Sequence, residues 1–318
     1  MTGTSKVFVC TGDGTIRTFK EEAGGLDGKI PVANEDFTYT GEYEVLDDSD
    51  ALGTWWRIKF KTSGKLIILK KFIGDIFLVG GGGGTSSING TYCAGSGGGG
   101  GGYTKTVSNI EFTENTEYEI LIGNGGHSST YTKWTGGDET NSGNGGTGGT
   151  TSISGIDDGS IAGGFGGTAK DTSYMSDSTS YGTRGPGGNG GSGGGMSYGD
   201  FTSGSRYSSS YYTPDQGASD GGTSAHGGKN NYTSQNRDGR GQGTTTREFG
   251  ETFGDLYSGG GAGIYCTDTG NHTYKTNTGG AGGGGASRTA GVTNTGGGAG
   301  GGGAAGGSGI LIIRNHRD

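Results

Sequence analysis

The sequence predicts an all-β fold with essentially no α-helix, in which a long glycine-rich segment interrupts a β module. Three observations predict it. Short apolar runs with strand-like alternation fill residues 37–122. Glycine supplies 82 of the 318 residues and falls into blocks. A lone apolar run, Ile310-Leu311-Ile312-Ile313-Arg314, stands about 190 residues beyond the last of the other strands. Nowhere does an apolar repeat of 3.6 residues signal a helix.

Within residues 37–122 the expected strands are Phe37–Val45, Thr54–Lys61, Lys65–Phe72, Asp75–Val79, Tyr103–Phe112 and Glu117–Ile122. In Trp56-Arg57-Ile58-Lys59-Phe60-Lys61 apolar and charged residues alternate, so one face is buried and the other wet. Thr62-Ser63-Gly64 reads as a hairpin turn between the second and third strands. Trp55 and Trp56 read as core or rim packing. Ahead of the module, Val7-Phe8-Val9 and Thr15–Phe19 read as two short strands around Gly12-Asp13-Gly14. This leading segment is either an attachment segment or an extra hairpin on the next domain. The lone run at 310–314 can neither bury its faces nor pair its backbone by itself. Its natural partner is the β module. The expected organisation is therefore an N-terminal attachment or assembly segment at 1–36, a β module at 37–122 completed by 308–318, and a glycine-rich insertion at 123–307.

Glycine blocks recur through the insertion, at 143–149, 163–167, 185–195, 259–263, 279–285 and 296–307, and two similar blocks come earlier, at 80–84 and 97–102. Ordering each residue costs roughly 1–2 kcal/mol, and glycine costs most while burying nothing in return. Helix and ordinary strand both suit it poorly. An extended helix with three residues per turn remains, and it has no internal hydrogen bonds. Packed side by side, such helices can bond to one another, because no Cβ holds the backbones apart. Two alternatives stand: a bundle of these helices, or a flexible linker. The bundle fits better with a closing strand that needs both ends of the insertion held close together.

Composition excludes several functions. Collagen is ruled out by only 3 prolines and the lack of a strict third-residue register. The net charge of −8 and the absence of a basic face argue against nucleic-acid binding. Cys10, Cys93 and Cys266 lie far apart and suit free thiols better than a disulfide framework. The N-terminus lacks the apolar core of a signal peptide, and no apolar run is long enough to span a membrane. His127, His226, His272 and His316 show no metal-binding spacing, and Asp47-Asp48-Ser49-Asp50 and Asp157-Asp158 suit solvated turns better than calcium. G-x-G-x-x-G strings arise by chance at this glycine frequency, and none opens a helix. No catalytic constellation, cofactor or metal site is expected.

One ordered series of motifs points further. Ile76-Phe77-Leu78-Val79 runs into Gly80–Gly84, and Gly97–Gly102 into Tyr103-Thr104-Lys105-Thr106-Val107. Tyr118-Glu119-Ile120-Leu121-Ile122 leads to Gly123-Asn124-Gly125-Gly126, and Gly306-Gly307-Ser308-Gly309 leads to the last strand. Over roughly residues 40–314 this series resembles the glycine-rich domain of bacteriophage tail and receptor-binding proteins. It is similar in style to the tip adhesins of T-even-type phages, and more distantly to the glycine-rich extracellular domain of anaplastic lymphoma kinase. The resemblance implies a β-sandwich with an inserted bundle of polyglycine II helices, and loops between those helices that touch a host receptor.

The loops carry chemistry suited to contact. One spans Asp171–Tyr181 and a longer one spans about Ser197–Arg247. Tyrosine, serine and asparagine with scattered arginine is the composition of antibody paratopes. The expected receptor-contacting residues are Tyr174, Tyr181, Arg206, Tyr207, Tyr211, Tyr212, Tyr232 and Arg237. The alternative is a tolerated surface loop with no function. The expected protein is thus a structural virion protein on the particle surface, made in the host cytoplasm and not an enzyme. Expected partners are other tail, fibre or capsid proteins, a host cell-surface protein or glycan, and in one version a second copy of the chain, with no nucleic acid and no membrane insertion. The alternatives are a head or baseplate decoration protein, or a tail-associated glycan depolymerase.

Overall fold

The structure, a computed structural model, describes residues 6–9, 16–19, 26, 29–51, 53–89, 96–132, 142–170, 190–192, 194, 198–199, 218–219, 226–227, 246–252, 254–268, 273–275 and 278–317. It is all-β. Among the described residues there is no α-helix, and one 3-10 turn at Glu248–Gly250. The chain forms two compact units. The first comprises Met1–Ile76, Val107–Glu119 and Ile312–Asp318, and the second Phe77–Thr106 and Ile120–Leu311. Both early glycine blocks, 80–84 and 97–102, lie in the second unit.

The strands in chain order begin with β1 (Lys6–Val9), β2 (Ile16–Phe19), β3 (Phe37–Tyr39), β4 (Tyr43–Asp47), β5 (Trp56–Phe60), β6 (Gly64–Ile68) and β7 (Phe72–Val79). Next come β8 (Ser86–Asn89), β9 (Thr104–Phe112), β10 (Thr116–Leu121), β11 (Ser129–Thr132), β12 (Ser142–Asn144), β13 (Thr151–Ile153), β14 (Ser160–Ile161) and β15 (Thr168–Lys170). The last six are β16 (Tyr198–Gly199), β17 (Ala218–Ser219), β18 (His226–Gly227), β19 (Tyr265–Asp268), β20 (Thr273–Lys275) and β21 (Ile310–Asn315). Two five-stranded sheets run in the orders β14-β13-β10-β6-β3 and β4-β5-β21-β7-β9. β1 and β2 form an antiparallel hairpin of their own.

Within the first unit, strands of the two sheets face each other as a sandwich, and aromatic rings bridge them. Tyr39 of β3 meets Phe60 of β5 at 4.7 Å between ring centroids, and Phe112 of β9 meets Tyr118 of β10 at 5.5 Å. Phe72 stacks on Phe112 at 4.6 Å and takes the edge of Trp56 at 5.2 Å. β5 alternates strictly, with Trp56, Ile58 and Phe60 buried. β21 sits between β5 and β7, and Ile310, Leu311, Ile312 and Ile313 are all buried. A central strand is covered on both faces, which accounts for its unbroken apolar run.

One connection departs from expectation. Thr62-Ser63-Gly64 does not close a hairpin, because β5 and β6 belong to different sheets. β5 pairs with β4 and β6 pairs with β3. The expected single strand Phe37–Val45 is likewise broken into β3 and β4. Both chain segments switch sheets at one corner, where the backbones nearly touch. A Cβ on Gly64 would lie 2.7 Å from the amide nitrogen of Gly41, and one on Gly41 would lie 2.8 Å from the carbonyl oxygen of Ser63. The amide of Glu42 donates to Thr62 Oγ1 at 2.7 Å, and the Tyr39 hydroxyl donates to the Thr62 carbonyl. Only glycine allows so close a crossing, so this corner replaces the expected turn.

Candidate functional site

In the second unit the glycine runs bond to one another through their backbones. Residues 80–85 show the pattern most fully. Gly80 and Gly83 donate to Tyr103 and Gly100, Gly81 and Gly84 to Gly149 and Gly146, and Gly82 and Thr85 to Gly307 and Ala304, all at 2.8–3.0 Å. In return, carbonyls of the same run accept from Gly164 and Gly167, from Gly126 and Ser129, and from Ala299. Residues three apart therefore bond to the same neighbour, and six segments surround one run. A strand would alternate between two directions. An extended helix with three residues per turn requires a repeat of three. The interior is closed to side chains, since a Cβ on Gly82 would overlap the carbonyl of Gly297, and one on Gly99 that of Gly83.

This unit has two ends. At the strand end the chain enters from Val79 and leaves into Ile310, and the described turns there are short, as at Ala281–Gly283. The other end, the loop end, gathers the small sheets. β8 follows Thr85 and runs parallel to β11. β12 pairs with β15, next to the bond from Gly145 to Gly167. β19 follows Ile264, whose amide donates to Ser96 at 3.0 Å, and it pairs with β16 and β20. Asn89, Thr132, Lys170, Gly194 and Asp268 all lie at or next to this end, and each precedes a segment outside the described residues.

Of the eight expected contact residues, Tyr174 and Tyr181 belong to the segment after Lys170, Arg206, Tyr207, Tyr211 and Tyr212 to the one after Gly199, and Tyr232 and Arg237 to the one after Gly227. Tyr174, Tyr181, Arg206, Tyr207, Tyr211, Tyr212, Tyr232 and Arg237 all lie outside the described residues. The described residues before these segments are Lys170, which ends β15, Gly199, which ends β16, and Gly227, which ends β18. The short pair of β17 with β18 falls between Tyr212 and Tyr232.

Several described ionisable groups hold the first unit together. In the first unit Asp75, on β7, is fully buried. It accepts from Arg314 Nε at 3.0 Å and from the Asn109 amide at 3.0 Å, and its Oδ1 lies 2.7 Å from His316 Nδ1. Burial pushes this carboxyl up, but the bonds from His316, Asn109 and Arg314 outweigh it and hold it below the ordinary value. Asp36 follows the same logic. Burial raises it, while Lys70, the Val32 amide and Lys29 bring it lower overall. The acidic turn at 47–50 is used by its own chain: Asp48 pairs with Arg57 at 2.6 Å, and Asp50 accepts from Trp55 Nε1 at 3.2 Å. Arg317 joins Asp48 and lies over the Trp55 ring. Sequence reading missed the Asp75 cluster. The signal was there, as a single acid inside Phe72–Val79 and a single base ending Ile310–Arg314. Among the described residues no group of three His, Cys, Asp or Glu side chains could hold a metal, and no helix is long and apolar enough to cross a membrane.

The family model described as glycine-rich domain matches residues 72–316, most of the chain. The chain belongs to the glycine-rich domain family. Its span takes in β7, every glycine run and β21. No curated protein and no solved structure matches the chain.

Proposed function

We propose that this glycine-rich domain protein is a structural virion protein of a bacteriophage, a tail fibre-tip adhesin that binds a host surface receptor and has no catalytic role. The runs act as polyglycine II helices, a rigid scaffold for the segments between them. One observation supports the reading: the segments after Lys170 of β15 and Gly199 of β16, which hold six of the eight expected contact residues, each follow a described residue at or next to the loop end. Loops on a rigid scaffold are the usual place for recognition. The composition of these segments supports contact as their task. Tyrosine offers a large surface at small entropic cost, while serine and asparagine adapt their hydrogen bonds.

The test is a virion carrying Tyr207, Tyr211, Tyr212 and Tyr232 replaced by serine. Host adsorption is expected to disappear, while thermal stability and particle assembly stay close to the parent. A single hot-spot tyrosine contributes about 2 kcal/mol, or roughly thirtyfold in affinity. Normal adsorption by these particles would refute the adhesin reading. Failure of assembly would instead make the segment a contact between virion proteins, as a head or baseplate decoration protein requires.

A further inference from the structure

Runs 123–127, 144–150 and 162–167 lie side by side. Gly146 and Gly149 donate to His127 and Asn124, and Gly145 and Gly148 donate to Gly167 and Gly164. In all three, pairs of glycines alternate with one larger residue. The larger residues are Asn124 and His127, then Asn144, Thr147 and Thr150, then Ala162 and Phe165, and every one is exposed. The intervening glycines are buried or half-buried. Runs 80–84 and 97–102 carry no such residue and are buried throughout.

Inward bonding does not require the larger residues. Glycine at those positions would leave the bonds to neighbouring runs untouched, since the amides of Gly145, Gly146, Gly148 and Gly149 make them. An all-glycine outer face would have one new property. It would present bare backbone donors and acceptors, as an open sheet edge does, to any further glycine run. Inside the unit, bare backbone is the very surface to which neighbours bond, and a Cβ on Gly148 would overlap the Gly81 carbonyl. A side chain at every third residue uses the same steric exclusion in the outward direction.

We infer that the outward residues of this face, Thr147, Thr150 and Phe165 foremost, block lateral addition of further glycine runs, and that the occupant they exclude is a second copy of this chain. Thr147 and Phe165 stand opposite each other, because the bonds from Gly145 to Gly167 and Gly148 to Gly164 run in antiparallel register. Phe165 remains 52 % exposed, although phenylalanine is among the residue types most often buried. Its bulk over otherwise thin backbone is what a blocking residue needs. The inference rests on the bonding repeat of three and is independent of the adhesin reading.

The test replaces Thr147, Thr150 and Phe165 together by glycine in the full chain, with a control variant carrying Thr147→Ser, Thr150→Asn and Phe165→Tyr. Sedimentation velocity over a hundredfold concentration range is the readout. The glycine variant is expected to keep cooperative unfolding and to gain concentration-dependent association that the parent and the control lack. Identical sedimentation of all three proteins overturns the inference. So does loss of cooperative unfolding in the glycine variant, because the side chains would then be holding the fold.

Discussion

The two units reach an ordered interior by opposite means. In the first, large side chains fill the space between two sheets: Trp56, Phe60, Phe72 and Phe112 are buried, and their rings or those of their neighbours touch. Each such burial contributes about 1.5–3 kcal/mol. In the second, the run 80–84 has no side chain at all, and its amides bond outward in three directions. One backbone bond contributes about 0.5–1.5 kcal/mol net, against an ordering cost of roughly 1–2 kcal/mol per residue. A glycine run bonded on one side would not hold. One bonded to six neighbours shares each ordered residue between a donated and an accepted bond. The first unit thus depends on which side chain is present, and the second on where none is.

The largest expected effect lies in the first unit. Phe112→Ala removes the ring that stacks on Phe72 and meets Tyr118 across the sheets. The expected loss is about 3–5 kcal/mol, read from chemical denaturation. A loss below about 1 kcal/mol would mean that ring packing is not what joins the sheets.

Asp75→Asn probes the same unit through charge. The substitution leaves Arg314 buried without its carboxylate, at an expected cost of about 3 kcal/mol near neutral pH. The pH dependence has a definite sign. The carboxyl of Asp75 sits below its ordinary value of 3.8 in the folded protein, so folding favours the ionised form. That contribution is complete above 3.8, and it is lost as the pH falls through the lower folded value. The parent should therefore lose stability more steeply than Asp75→Asn on acidification below about pH 4. Parallel acid limbs in the two proteins would remove Asp75 from the account.

These contrasts explain what the sequence made legible. The alternation of Trp56-Arg57-Ile58-Lys59-Phe60 and the isolation of Ile310–Ile313 both follow from burial, so the all-β class, β5 and a closing strand could be read directly. The corner at Gly41 and Gly64 could not. Whether β5 turns back on itself or crosses to the other sheet depends on a contact between residues 23 apart, and a turn motif reports only its own neighbours. In the second unit the glycine blocks were visible but not their order around 80–85, because glycine carries no mark of its partner. The unbroken blocks 80–84 and 97–102, set against the interrupted ones such as 144–150, do carry information. Those two unbroken blocks are buried throughout, and the residues recurring every third position in 144–150 face out. The contact residues expected in the long loops lie outside the described residues, and their test is functional.

The smallest expected effects sharpen the comparison most, because they separate neighbouring residues of one short run. In 144–150 the three directions are distinct. Gly145 and Gly148 face the central run, where an added Cβ would overlap the carbonyls of Gly84 and Gly81. Thr147 and Thr150 face solvent. Gly145→Ala and Gly148→Ala should each cost roughly 1–3 kcal/mol through overpacking against rigid backbone. Thr147→Ala and Thr150→Ala should stay within about 0.5 kcal/mol of the parent, as exposed substitutions do. Replacing glycine by alanine lowers the entropy of the unfolded chain and by itself stabilises, so backbone propensity cannot produce a loss confined to 145 and 148. An ordinary strand would make the effect alternate with a period of two, and a flexible linker would give no pattern at all. Thermal unfolding of the four variants, placed in sequence order, therefore measures the repeat itself. Equal stabilities at 145, 147, 148 and 150 would break the claim that this region is held by glycine backbones packed without side chains.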